Sequence, residues 1–138
     1  MLVLVRANIF VVGLGGRSNA LMALPVRVSF IQTGLNAGRS LKTECVDSVI
    51  SKWNLPDAPN GQFLKNLRLA KPYIPVIAIV NPNDAGQEIA ARSIGVAAVL
   101  SSDVSDDIFR QTVVGVLGIN DTDEIQKLCA FVDDSENG

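Results

Sequence analysis

Val46-Asp47-Ser48-Val49-Ile50-Ser51-Lys52-Trp53-Asn54-Leu55-Pro56-Asp57 decides the fold of this chain. Its first half is apolar and β-branched. Its second half is a polar loop closed by a proline. Similar runs recur at residues 9–12, 26–31, 46–51, 75–80 and 96–100. Short apolar runs with little alternation suit strands buried on both faces of a parallel sheet.

The stretches between these runs read as helices. Phe63, Leu64 and Leu67 form an apolar stripe, with Lys65, Asn66 and Arg68 outside it. The next helix starts at Asp84, an N-cap residue, with Gln87 three positions on as in a capping box. It runs through Ile89, Ala90 and Ile94 to Gly95, a natural C′ residue. The last opens after Ser105 with Asp106 and Asp107 in its first turn, where a helix dipole favours acids. Ile108, Phe109, Val113, Val116 and Leu117 mark its buried side. Earlier in the chain, residues 35–44 form a helix despite their glycines, and 17–24 leave room for a short one closed by Pro25.

Strands alternating with helices imply right-handed crossovers and a doubly wound α/β fold. Five strands suggest a three-layer α/β/α domain with the flavodoxin-like order 2-1-3-4-5. The functional crevice of such a sheet lies at the carboxyl ends of its strands, which puts Gly13 and Leu14 beside Lys52. The length of 138 residues fits one domain over residues 1–120. Residues 121–138 follow as an amphipathic helix and polar tail, with Ile125, Leu128, Cys129 and Val132 at helical spacing.

Composition narrows the chemistry. Hydrophobic residues make up 48% of the chain, enough for a core, and the net charge of −2 gives no electrostatic reason for nucleic-acid binding. With no histidine, zinc-hydrolase and Ser-His-Asp readings lose their usual ligand and base. Cys45 and Cys129 lack a CxxC spacing and read as buried free thiols. No run approaches about 20 apolar residues, and the first 16 lack a cleavage pattern, so a cytoplasmic protein is expected. Gly13-Leu14-Gly15-Gly16 follows a strand, but Ser18 breaks the GxGxxG pattern and no Walker lysine follows. A tight turn is the simpler reading there.

Residues 46 to about 117 resemble the receiver domain of two-component response regulators. Asp47 to Pro56, then Gly61-Gln62-Phe63-Leu64-Lys65-Asn66-Leu67-Arg68, look like the receiver's third strand, phosphorylation loop and third helix. Ile74-Pro75-Val76-Ile77-Ala78-Ile79 looks like its fourth strand, and 90–100 like the fourth helix and fifth strand. Asp57 to Asn60 make the loop about one residue longer than usual.

Receiver chemistry uses two acids that hold Mg²⁺, an aspartate that takes the phosphoryl group, a hydroxyl and a lysine. On the resemblance, the acids fall at Gly13 and Leu14, and the acceptor at Lys52. The hydroxyl falls at Val80, the lysine at Ser102 and the aromatic switch at Val99. Every position has changed chemical type, and no acidic residue at all precedes Glu44. The resemblance therefore implies a degenerate pseudo-receiver: no enzyme, no Mg²⁺ site, no other cofactor.

Such a domain is expected to act through protein–protein contacts in a bacterial two-component-type pathway. The surface candidates are Trp53, Gln87, Ala91, Val99, Asp107 and Arg110. Most lie on the face of the fourth helix, fifth strand and fifth helix, which would also serve a homodimer. No membrane or direct nucleic-acid partner is implied. The alternative is a module that senses a small anion or metabolite, held by the altered pocket of Gly13, Lys52 and Ser102.

Overall fold

The computed structural model describes residues 7–14 and 26–117. Five strands form one parallel sheet: β1 (Ala7–Val12), β2 (Val26–Ile31), β3 (Ser48–Lys52), β4 (Val76–Val80) and β5 (Ala98–Ser101). Their order is β2-β1-β3-β4-β5, the doubly wound order expected. Four helices are described: α1 (Gly34–Thr43), α2 (Gln62–Ala70), α3 (Ala85–Ser93) and α4 (Asp106–Leu117). The helix expected over 17–24 and the one beyond residue 121 lie outside the described residues.

Side chains of successive strand residues point to opposite faces, so the sheet splits the core in two. Phe10, Val12, Val49, Val76, Ala78 and Val80 pack with Ala37 and Leu41 of α1, Phe63, Leu64 and Leu67 of α2, and Ala91 of α3. On the other face Ile9, Val11, Ile50, Ile77, Ile79 and Leu100 pack with Phe109 and Val113 of α4. β1, β3 and β4 are covered on both faces, as their unbroken apolar runs require. β2 and β5 are edges. Arg27 and Phe30 reach solvent, and β5 is mostly half-buried, so the expectation of burial on both faces fails there.

The helix ends follow local chemistry. Thr33 Oγ1 accepts from Asn36 N and starts α1. Asp84 accepts from Gln87 N at 3.1 Å, but Gln87 Oε1 accepts from Asn81 N, so the reciprocal half of the expected capping box is redirected. Gly95 takes φ +84°, the left-handed stop foreseen after α3. Arg68 donates to the carbonyls of Ile94 and Pro72, joining the C-terminal ends of α2 and α3. Ile108 is exposed, leaving Phe109 and Val113 as the fully buried residues of α4. Cys45 is exposed, not buried: it lies in the link between α1 and β3, where its carbonyl accepts from Asn8 Nδ2.

Candidate functional site

The crevice expected from topology lies where β1, β3, β4 and β5 end. Gly13 follows β1, Lys52 ends β3, Val80 ends β4 and Ser102 follows β5. Backbone bonds fix this edge. Gly13 N donates to Ile31 O, Trp53 N to Ile79 O and Ser102 N to Val80 O. The fold thus brings the residues together along one edge, but their side chains diverge. Leu14 packs against the α4 side of the sheet. Val80 is buried on the opposite side, while Lys52 and Ser102 are exposed.

Leu55 fills the centre of the edge. It is buried, and a Cβ built on Gly13 would lie 2.7 Å from Leu55 Cδ2 and 3.7 Å from Lys52 Cδ. Gly13 also has φ +77°, so neither space nor backbone there admits another residue readily. The space beside Lys52 is therefore lined by hydrocarbon. Three acids of the loops at this edge, Asp57, Asp84 and Asp103, are engaged elsewhere. Asp57 bonds α1, Asp84 caps α3 and Asp103 accepts from Ser101 Oγ. Among the described residues, no group of three or more His, Cys, Asp or Glu side chains is placed to hold a metal ion.

The loop after β3 explains Leu55. Leu55 and Ala58 exchange backbone hydrogen bonds, and Gly61 N donates to Trp53 O, closing residues 53–61 into a small hairpin. Asn60 turns it at φ 59°, with its N–H bonded to Asn54 Oδ1. Trp53 is only 5% exposed, so it anchors the loop and does not face a partner. Its ring lies where a Gly61 side chain would be, at 2.2 Å from a built Cβ, and Lys65 Nζ sits 5.7 Å from the ring centroid.

The tip of this hairpin carries Asp57, whose partner is α1. Its carboxylate accepts from Gly34 N at 3.0 Å and Leu35 N at 2.9 Å, the free amides at the start of α1. These two bonds hold its carboxyl below the ordinary carboxylate range. At the other end of α1, Lys71 Nζ donates to Leu41 O at 2.9 Å. Asp57 precedes α2 and Lys71 follows it, so α1 is gripped at both ends by groups that flank its neighbour. Each charge has the sign that the helix end favours. The additional loop residue seen in sequence was the available signal, since it gives the hairpin room to reach α1.

Between these two clamps runs a groove of about 530 Å³. Leu41, Phe63 and Leu67 give it an apolar floor, and Gly38 leaves it open, because a Cβ there would meet nothing within 4 Å. Arg39, Lys42 and Lys71 stand around its far half.

The other expected surface residues separate. Ala91 is fully buried against the sheet, because the helical turn that exposes Glu88 and Arg92 directs it inward. Gln87 and Val99 are half-buried, and Val99 lines a hollow of about 300 Å³ with Val80, Asp84 and Ser101. Asp107 and Arg110 pair with each other at 3.1 Å near the start of α4. Surface pairs of this kind contribute little stability.

No family model and no curated protein matches this sequence. Solved structures do match. A signal receiver domain of an HD domain-containing protein from Pseudomonas fluorescens superimposes with TM-score 0.75 at 22% identity, over 83% of this chain and 96% of that one. The fold is that of receiver domains. The chemotaxis response regulator CheY4 of Vibrio cholerae gives TM-score 0.72 at 18% identity, over 82% of this chain and 100% of that one. The receiver domain of a sensor histidine kinase from Pseudomonas aeruginosa gives TM-score 0.72 at 17% identity, over 83% and 99%. That last structure has a magnesium ion coordinated in its active-site cleft. The receiver fold here has no described helix long and apolar enough to cross a membrane.

Proposed function

We propose that this domain is a receiver that does not accept a phosphoryl group and that works through protein–protein contacts in a two-component-type pathway. One observation carries the reading: where β1 and β3 end, Gly13, Leu14 and Lys52 stand, and Leu55 packs against Gly13. A hard cation needs oxygen ligands, and an acyl phosphate needs a carboxylate. The side chains of glycine, leucine and lysine offer neither. At the end of β4 Val80 supplies no hydroxyl, and after β5 Ser102 supplies no cation. On this reading the domain binds no Mg²⁺ and catalyses nothing. Its partner is a protein of a bacterial signalling pathway, met on its helical surfaces.

The test is exposure of the chain to acetyl phosphate, and separately to beryllofluoride, each with Mg²⁺. The expected result is an unchanged intact mass and unchanged backbone amide spectra. A phosphorylated residue, or Mg²⁺-dependent shifts clustered at Gly13 and Lys52, would overturn the proposal.

A further inference from the structure

The groove between α1 and α2 is preformed. Asp57 and Lys71 fix α1 at both ends against the segment that carries α2, and Gly38 leaves its middle open. Its floor is apolar and its far half is ringed by Arg39, Lys42 and Lys71. A complementary occupant is an amphipathic segment with an apolar stripe and acidic flanks.

The chain itself carries one. Residues 121–138 hold six of the 14 acidic residues and one of the 12 basic ones, which leaves eight acids against eleven bases in residues 1–120. Ile125, Leu128, Cys129 and Val132 share one helical face, with Asp121, Asp123, Glu124, Asp133 and Asp134 at the two ends of that stretch. Opposite net charges on the body and the last 18 residues favour their association, most at low salt.

Reach allows it. α4 starts beside the C-terminal end of β5 and runs back, so Leu117 lies at the end of the domain where the strands begin. α1 and α2 finish at that same end, each followed by a strand, and Arg39, Lys42 and Lys71 lie towards it. Helices on opposite faces of a sheet are roughly 20 Å apart, two packing distances of about 10 Å. The seven residues 118–124 extend to about 24 Å.

We infer that the acidic segment 121–134 seats in the basic-rimmed groove between α1 and α2 of its own chain and covers it. The test uses the full chain in a Cys45→Ser background, which removes the exposed thiol. A cysteine is introduced in the groove by Gly38→Cys or Ala70→Cys, or outside it by Arg92→Cys, and Cys129 serves as the native partner. Mild oxidation is followed by non-reducing electrophoresis and peptide mapping. A tethered segment at high effective concentration gives an intramolecular disulfide to Cys129 from a groove position about ten-fold faster than from the Arg92→Cys site. Adding Arg39→Glu and Lys42→Glu, or raising the salt, slows that reaction several-fold. Equal rates from all three sites, insensitivity to charge reversal, or disulfides formed only between two chains would overturn the inference. Circular dichroism of each variant checks that its total helix content matches that of the parent chain, and Gly38→Cys removes a helix-interior glycine without meeting a neighbour.

Discussion

The crevice at the carboxyl edge of the sheet and the groove between α1 and α2 lie on either side of one loop, and that loop treats them oppositely. It closes the crevice, since Leu55 lies against Gly13. It holds the groove open, since Asp57 of the same hairpin grips the first amides of α1. In the crevice the chain has placed a glycine, two leucines and an exposed lysine. At the groove it has placed paired charges, each matched to a helix end. A receiver-shaped scaffold thus keeps its topology while its organised polar chemistry sits beside the crevice.

The largest test of this comparison removes the loop's own anchor. Gly61 stands at φ +74° with the Trp53 ring 2.2 Å from a built Cβ. Gly61→Val combines a strained backbone with overpacking and is expected to cost at least about 3 kcal/mol, read from urea unfolding. Both regions are lost together if the loop is their shared support. Leu55→Ala separates them. Truncating a buried leucine costs about 2–4 kcal/mol, and it opens the space beside Gly13 while Asp57 keeps its bonds to α1. Retained protection of the Gly34 and Leu35 amides from hydrogen exchange is the expected readout. Loss of that protection would show that the two regions do not separate.

Asp57 gives the next test, through pH. Its two backbone bonds depress the carboxyl of the folded chain below the value of about 3.9 found in unfolded peptides. As pH falls, the unfolded state therefore takes up its proton first, and stability drops. The contribution of Asp57 is complete above the ordinary carboxylate value and disappears as pH passes below the folded one. Asp57→Asn, which keeps a carbonyl acceptor but no charge, is expected to lower the urea midpoint at neutral pH. The difference from the parent chain then shrinks on acidification. A difference that stays constant with pH would assign the bonds no electrostatic share.

Much of this fold was legible in the sequence, for identifiable reasons. Runs such as Val76–Val80 are apolar throughout because they are covered on both faces, and Gly95 and Asp84 mark helix ends by their own chemistry. The edge strands misled, because Val28 and Phe30 look as apolar as central residues although β2 has a neighbour on one side only. The place of Gly13 and Lys52 at the strand ends was legible too, because the apolar runs before them set it. Contacts between segments distant in sequence were not. Nothing local shows that Leu55 meets Gly13, that Trp53 folds onto Gly61, or that Asp57 and Lys71 reach the two ends of α1. Ala91 was misplaced for a related reason: α3 carries few large apolar residues, so small alanines and not Ile89 define its buried face.

The smallest expected effect belongs to Lys52 itself. Its side chain is exposed, and Asp57, Asp84 and Asp103 serve other bonds. Lys52→Ala is therefore expected to change stability by less than about 0.5 kcal/mol, as surface substitutions away from special features do. Lys52→Asp goes further, because it supplies an acceptor carboxylate in the crevice. Acceptance of a phosphoryl group also requires a cation to neutralise the transferred charge, and Gly13 and Leu14 give that cation no oxygen side chain while Leu55 occupies the space. Intact mass after incubation with acetyl phosphate and Mg²⁺ is expected to show no added phosphoryl group on the Lys52→Asp chain. Labelling at that position would mean that one substitution separates this crevice from receiver chemistry. Silence would mean that more than the residue at position 52 separates this crevice from receiver chemistry.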